Sequence, residues 1–134
     1  MTLIEIEQGN KLIAEFMATI ETLGQAALQK KYLIWVKPNG SARDLTSVPF
    51  NASDAQDCRY HSSWDWLMPV IEKIIDEEMS SCMFTGDGYL SGAGKTFSMM
   101  DDHKTPFQGN DDKWIRAAWI AIVQYLEWKN KKKL

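Results

Sequence analysis

Apolar positions along the chain fall into three helical runs and several short strand-like runs. Leu12, Ile13, Phe16, Ile20 and Leu23 recur at the spacing of one helix face. They predict a first helix over 10–23, with Asn10 at its N-cap and Gly24 as its stop. Thr2 and Glu5 stand at capping-box spacing and would start the same helix earlier. Tyr32 to Val36 is β-branched and aromatic, as a strand requires. Pro38-Asn39-Gly40-Ser41 then signals a hairpin turn, with a return strand over Leu45 to Val48 and loop over 50–59. A second helix begins near Ser62 or Ser63, with Trp64, Leu67, Met68, Ile71 and Ile75 as its apolar stripe. Pro69 lacks a backbone donor and predicts a late start or a bend. Cys82–Thr85 and Thr96–Met100 read as strands joined by the glycine-rich stretch 86–94, and 101–112 reads as polar loop.

The last helix follows Asn110 or Asp111 as cap, with Asp112 in its first turn. Ile115, Ala118, Trp119, Ile122 and Leu126 form its main face, and Trp114, Ala117, Ala121 and Trp128 a second stripe beside it. A helix apolar this far round touches more than one neighbour. The resulting order is α-β-β-α-β-β-α. It predicts an α+β fold in which about three helices pack on a small antiparallel sheet of about four strands, built from two hairpins.

Composition narrows the classes. The chain has 134 residues, which fits one domain over 1–134. A chain of this length buries roughly two-thirds of its unfolded surface, enough to fold without metal or disulfide. Net charge is −3, which supplies neither counterion release nor steering toward nucleic acid or anionic membrane. No run of ~18 apolar residues suits a membrane helix. The N-terminal stretch has acids where a secretory leader has a basic segment. Two cysteines, Cys58 and Cys82, suit a reducing compartment, so the expected location is cytoplasmic.

Several motifs invite chemistry and fall short of it. Gly92-Ala93-Gly94-Lys95-Thr96 resembles the end of a phosphate-binding loop, but the glycine needed five positions before Gly94 is Tyr89, and no helix follows. Cys58, His61, Cys82 and His103 could supply four zinc ligands, yet the second pair lacks motif spacing. His61 and Asp65 stand four apart, where a helix can join a base to its orienting carboxylate, but no turn presents a nucleophile beside them. Asp101, Asp102, Asp111 and Asp112 lack calcium-loop spacing. Lys129 and Lys131 to Lys133 read as a solvated helix end rather than a phosphate contact. No cofactor is predicted.

Six tryptophans remain the most unusual feature. Trp35, Trp64 and Trp119 fall on core positions. Trp66 falls opposite Trp64, and Trp114 and Trp128 lie off the main face of the last helix, beside alanines that allow close approach. Either a second internal contact or a partner buries these three rings, since tryptophan is enriched at binding hot spots. Self-association through the last helix would place the second stripe at a two-fold interface.

The segment Tyr60-His61-Ser62-Ser63-Trp64-Asp65-Trp66-Leu67-Met68-Pro69-Val70-Ile71-Glu72-Lys73-Ile74 resembles one in small uncharacterised proteins of bacteriophages and prophages of gut bacteria. Asn10 to Met17 resembles the opening of the same proteins, and Ala121 to Trp128 is similar to their final helix. The resemblance implies a mobile-element origin and a setting inside the host cell, without implying a mechanism. The leading expectation is a non-catalytic accessory protein that binds a host or phage protein, with Trp66, Trp114 and Trp128 as candidate contacts. The alternatives are a small metal-dependent hydrolase using Cys58, His61 and Asp65, and a weak nucleic-acid-binding module using the terminal lysines.

Overall fold

The computed structural model describes residues 2–23, 30–77, 79–87, 94–101, 106–111 and 113–132. The fold is α+β, as the apolar pattern predicts, and the chain divides into two compact units, Met1–Cys58 and Arg59–Leu134. Both expected hairpins are present. Each gains a further strand, and a short extra helix appears, so the described residues hold six strands and four helices. The single four-stranded sheet expected is corrected to two three-stranded antiparallel sheets, one in each unit.

The first unit opens with α1 (Leu3–Met17). Thr2 caps it, its Oγ1 accepting the Glu5 N–H at 3.2 Å, and the Ala18 N–H closes its far end on the Ala14 carbonyl. The earlier of the two sequence readings is therefore the observed one. Asn10 is no cap; it lies mid-helix and fully buried beside Ile13 and Ala14. The expected helix over 10–23 fails at its C-terminal end because Thr19, Ile20 and Thr22 are β-branched and favour strand. They form β1 (Thr19–Leu23), antiparallel to β2 (Lys30–Val36), with Ile20 opposite Leu33. Gly24 lies outside the described residues.

The Asn-Gly turn forms, but as a longer loop. The Lys37 N–H reaches the Ser41 carbonyl at 2.8 Å, and Gly40, at φ +91°, takes the left-handed position where a side chain would strain. The return strand β3 is Ala42–Asp44, not Leu45–Val48, with Val36 opposite Ala42. It stops at Asp44, whose carboxylate accepts the Thr46 N–H and the Ser47 hydroxyl and turns the chain.

Residues expected as loop contain α2 (Ala52–Asp57). Asn51 and Asp54 make a reciprocal capping box: Asn51 Oδ1 accepts the Asp54 N–H at 3.2 Å, and Asp54 Oδ2 accepts the Asn51 N–H at 3.0 Å. Asp54 is 6% exposed and also receives both prongs of the Arg43 guanidinium, Nε at 2.8 Å and Nη2 at 2.6 Å. The other Arg43 hydrogens go to the carbonyls of Asp44, Val48 and Pro49. One side chain thus ties β3, the following turn and α2 together over a core of Ile13, Trp35, Leu45 and Cys58.

Removing the Asp54 carboxylate would leave that guanidinium half-buried without its anion. Asp54→Ala is expected to cost ~2 kcal/mol, read as a lower urea midpoint of the full chain. Hydrogen bonds from Arg43, and secondarily from the Asn51 backbone, hold the Asp54 carboxyl below its ordinary value of 3.8. The ionised folded form is therefore favoured. Its stabilisation is present above 3.8 and is lost as pH falls through the lower folded value. The variant should show a flatter acid limb.

The second unit contains α3 (Trp64–Glu77), β4 (Met79–Asp87), β5 (Gly94–Asp101), β6 (Pro106–Asp111) and α4 (Trp114–Lys132). Ser63 precedes α3, its carbonyl accepting the Leu67 N–H at 3.1 Å. Pro69 stands within the helix rather than delaying it, on an exposed position, so the missing bond falls at the carbonyl of exposed Asp65. The sheet order is β4-β5-β6, all antiparallel.

Within the stretch expected as polar loop, Asp101 ends β5 and Pro106–Asp111 form β6, where Phe107 and Gly109 alternate inward, both buried; 102–105 and 112 lie outside the described residues. Pro106 is tolerated because it begins an edge strand. α4 lies across β5 and β6 and also meets α3. A Cβ on Gly109 would overlap the Ala117 carbonyl oxygen and lie 2.9 Å from the Ala121 nitrogen. The alanine stripe of α4 is therefore where a strand backbone seats, not where a second helix or a second copy packs. Neither Asn110 nor Asp111 is the helix cap, since both belong to β6 and α4 begins at Trp114, with the Ala117 N–H bonding the Lys113 carbonyl; Asp112 lies outside the described residues. Asp111 Oδ1 instead accepts the Lys113 N–H at 3.1 Å.

Candidate functional site

Five tryptophans distribute along α3 and α4, and helix geometry decides which face outward. At ~100° per residue, Leu67, Val70, Ile71 and Ile74 share one face of α3, and all four are buried. The core face is thus rotated from the expected Trp64-Leu67-Met68-Ile71-Ile75 stripe. Trp66 lies on one flank of the core face, half-buried, its ring edge-on to that of buried Tyr60 at 5.0 Å. On the other flank Trp64, Met68 and Ile75, at spacings of four and seven, make one row. They are 37%, 43% and 43% exposed. Trp64 is corrected from core to surface.

The same helix places Asp65, Glu72 and Asp76 along the far side of that row, all exposed. The surface of α3 is consequently an apolar ridge with an acidic border. Met68 adds a side chain that adapts to irregular contacts.

The two outlying tryptophans of α4 are half-buried within the second unit. Trp128 packs against Phe107 at 5.4 Å and Tyr125 at 6.2 Å. Trp114 carries the Lys95 ammonium 5.9 Å from its ring centre. That lysine belongs to the stretch resembling a phosphate loop. Gly94, Lys95 and Thr96 begin strand β5, opposite Asp87, Gly86 and Thr85, and no helix start follows them. Residues 88–93 lie outside the described residues.

The polar candidates are spread out. His61 sits in the turn before α3, half-buried, and burial lowers its pKa, with the positive charges of Arg116 and Arg59 adding to the effect. Asp65 is exposed in the first turn of the helix. Cys58 is 3% exposed in the first unit, and burial pushes its thiol up to about 12. A thiol held protonated is a poor nucleophile and a poor metal ligand. Cys82 lies in β4, its side chain undescribed, and His103 lies outside the described residues. Among the described residues no three His, Cys, Asp or Glu side chains gather to hold a metal ion.

The lysine tail is partly committed as well. Lys129 Nζ lies 3.2 Å from Glu77 Oε2, at the end of α3. Lys131 is exposed, and Lys133 lies outside the described residues. In the first unit, a groove of about 220 Å³ between α1 and α2 is lined by Glu7, Lys11, Phe50 and Ala55 among others. It is below the usual size of a small-molecule site, and no serine, cysteine or histidine lines it.

Sequence reasoning missed the Arg43–Asp54 latch and the α3 ridge. The Asn51-x-x-Asp54 spacing would have revealed α2. The ridge needed the true core face, which periodicity alone left ambiguous by most of a quarter turn. No helix among the described residues is long and apolar enough to cross a membrane. No family model, curated protein or solved structure matches the chain.

Proposed function

We propose that this is a phage- or prophage-encoded accessory protein that acts in the bacterial cytoplasm by binding another protein, without catalysis. The observation that carries this reading is the ridge of Trp64, Met68 and Ile75, three large apolar side chains left exposed in one row of a regular helix. Contiguous exposed apolar surface rimmed by polar residues marks interaction sites. Tryptophan at its end supplies the kind of anchor that dominates binding energy. The buried, protonated Cys58 gives no support to hydrolysis, and the ion pair of Lys129 diverts one tail lysine from phosphate contact.

The test is a tagged capture from bacterial cells, with proteins and nucleic acids both identified in the eluate. One protein enriched in stoichiometric amount, and resistant to nuclease, is the expected result. Capture of nucleic acid alone, or of nothing above an untagged control, would reject the reading.

A further inference from the structure

The ridge on α3 is more specific than a patch of grease. Its first and last members stand eleven residues apart, which is about 16 Å along a helix axis. That length matches the apolar stripe of another helix. Along one side the ridge is bordered by Asp65, Glu72 and Asp76, all exposed. On the other side the helix descends into its own core through Ile71 and Leu67. An occupant therefore meets apolar surface in the middle and carboxylates on one flank.

We infer that this face docks a basic amphipathic helix of a partner protein, with Trp64, Met68 and Ile75 seating its apolar stripe and Asp65, Glu72 and Asp76 facing its lysines or arginines. The inference rests on the interaction reading above and names the chemistry of the partner. A precedent lies on the same helix: at its C-terminal end, Glu77 already holds Lys129, a basic residue from the end of another helix. The acidic border repels nucleic acid and anionic lipid. A second copy of the chain would present the same acidic border, and an antiparallel pairing of two such helices would bring like charges together.

The probe is a synthetic 18-residue helix with leucine at i, i+3, i+4 and i+7 and lysine on both flanks. Its control carries glutamate in place of lysine. Binding of each labelled peptide to the full chain is followed by fluorescence anisotropy. The basic peptide is expected to bind at least tenfold more tightly than the acidic one, and to weaken with added salt. Met68→Glu is expected to weaken it about tenfold. The combined Asp65→Asn, Glu72→Gln and Asp76→Asn variant should erase the preference for the basic peptide. All of these positions are exposed, and an unchanged melting profile verifies that each variant is folded.

Equal binding of the two peptides, or variants that bind like the parent, overturns the inference. The two levels separate cleanly. If these variants bind peptide unchanged yet still capture the cellular partner, the interaction reading stands and this face is not its site. If the parent chain captures no protein at all, the reading itself falls.

Discussion

Gly109→Ala is expected to destabilise the Arg59–Leu134 unit by ~3 kcal/mol, enough to lower its urea midpoint sharply or prevent its folding. The added methyl meets backbone, not flexible side chain: the carbonyl of Ala117 and, at 2.9 Å, the nitrogen of Ala121. Neither can move without breaking α4 or lifting β6 from it. Three fully buried residues of α4, Ala117, Ala121 and Tyr125, and the nearly buried Phe107 of β6 depend on that approach. The neighbouring Gln108 is an exposed control, though its N–H is accepted by Gln124 Oε1 at 3.2 Å. Substituting Gln108 with alanine keeps that N–H and should change stability by no more than ~0.5 kcal/mol. Equal stabilities for the two variants would mean that β6 does not seat on the alanine stripe.

The second large effect is chemical. In a Cys82→Ser background Cys58 is the remaining thiol. Burial raises it from an ordinary value of 9.0 to about 12. Near pH 8 the reactive thiolate is then roughly a thousandfold scarcer than in an ordinary cysteine. Labelling by a thiol reagent should be suppressed by at least that factor in native buffer and restored in denaturant. The same burial sets a sign for stability: the folded state keeps its proton while the unfolded thiol ionises, so stability is full below about 9 and declines as pH rises toward the folded value. Fast native labelling would contradict the packing of Cys58 and reopen a nucleophilic role.

The reasons for what was legible differ by element. α4 was plain because its apolar positions cover more than half its circumference, which requires several neighbours, and it meets α3, β5 and β6. The two hairpins were plain because Asn39-Gly40 and the glycine-rich stretch interrupt short apolar and aromatic runs. β6 was hidden because Pro106 and Gly109, ordinary loop signals, here mark an edge-strand start and a close backbone approach. α1 was displaced because the apolar set of 10–23 fits a helix and a strand at its far end alike. Cap chemistry at Thr2 and β-branching at Thr19 to Thr22 decided between them. Arg43 and Asp54 are eleven apart in sequence, and nothing local pairs them; only the turn after β3 brings them together.

The candidate surface was legible in kind but not in place. A tryptophan-bearing face on the second helix was expected at Trp66, and the most exposed ring on that helix is Trp64. The two lie ~200° apart around the axis. The choice between them depended on which neighbours hold the core face, and short apolar runs do not encode that. Met68 and Ile75 share the exposed row with Trp64, so the row, not the single ring, is the feature that points to function.

The most direct measurement is site-specific photocrosslinking in bacterial cells. A photoreactive amino acid is placed at position 68, on the ridge, and in a parallel strain at position 31, exposed on β2. The account predicts a discrete protein adduct from position 68 and none from position 31. Adducts from both positions alike, or from neither, would contradict the claim that the protein works by binding a partner on α3.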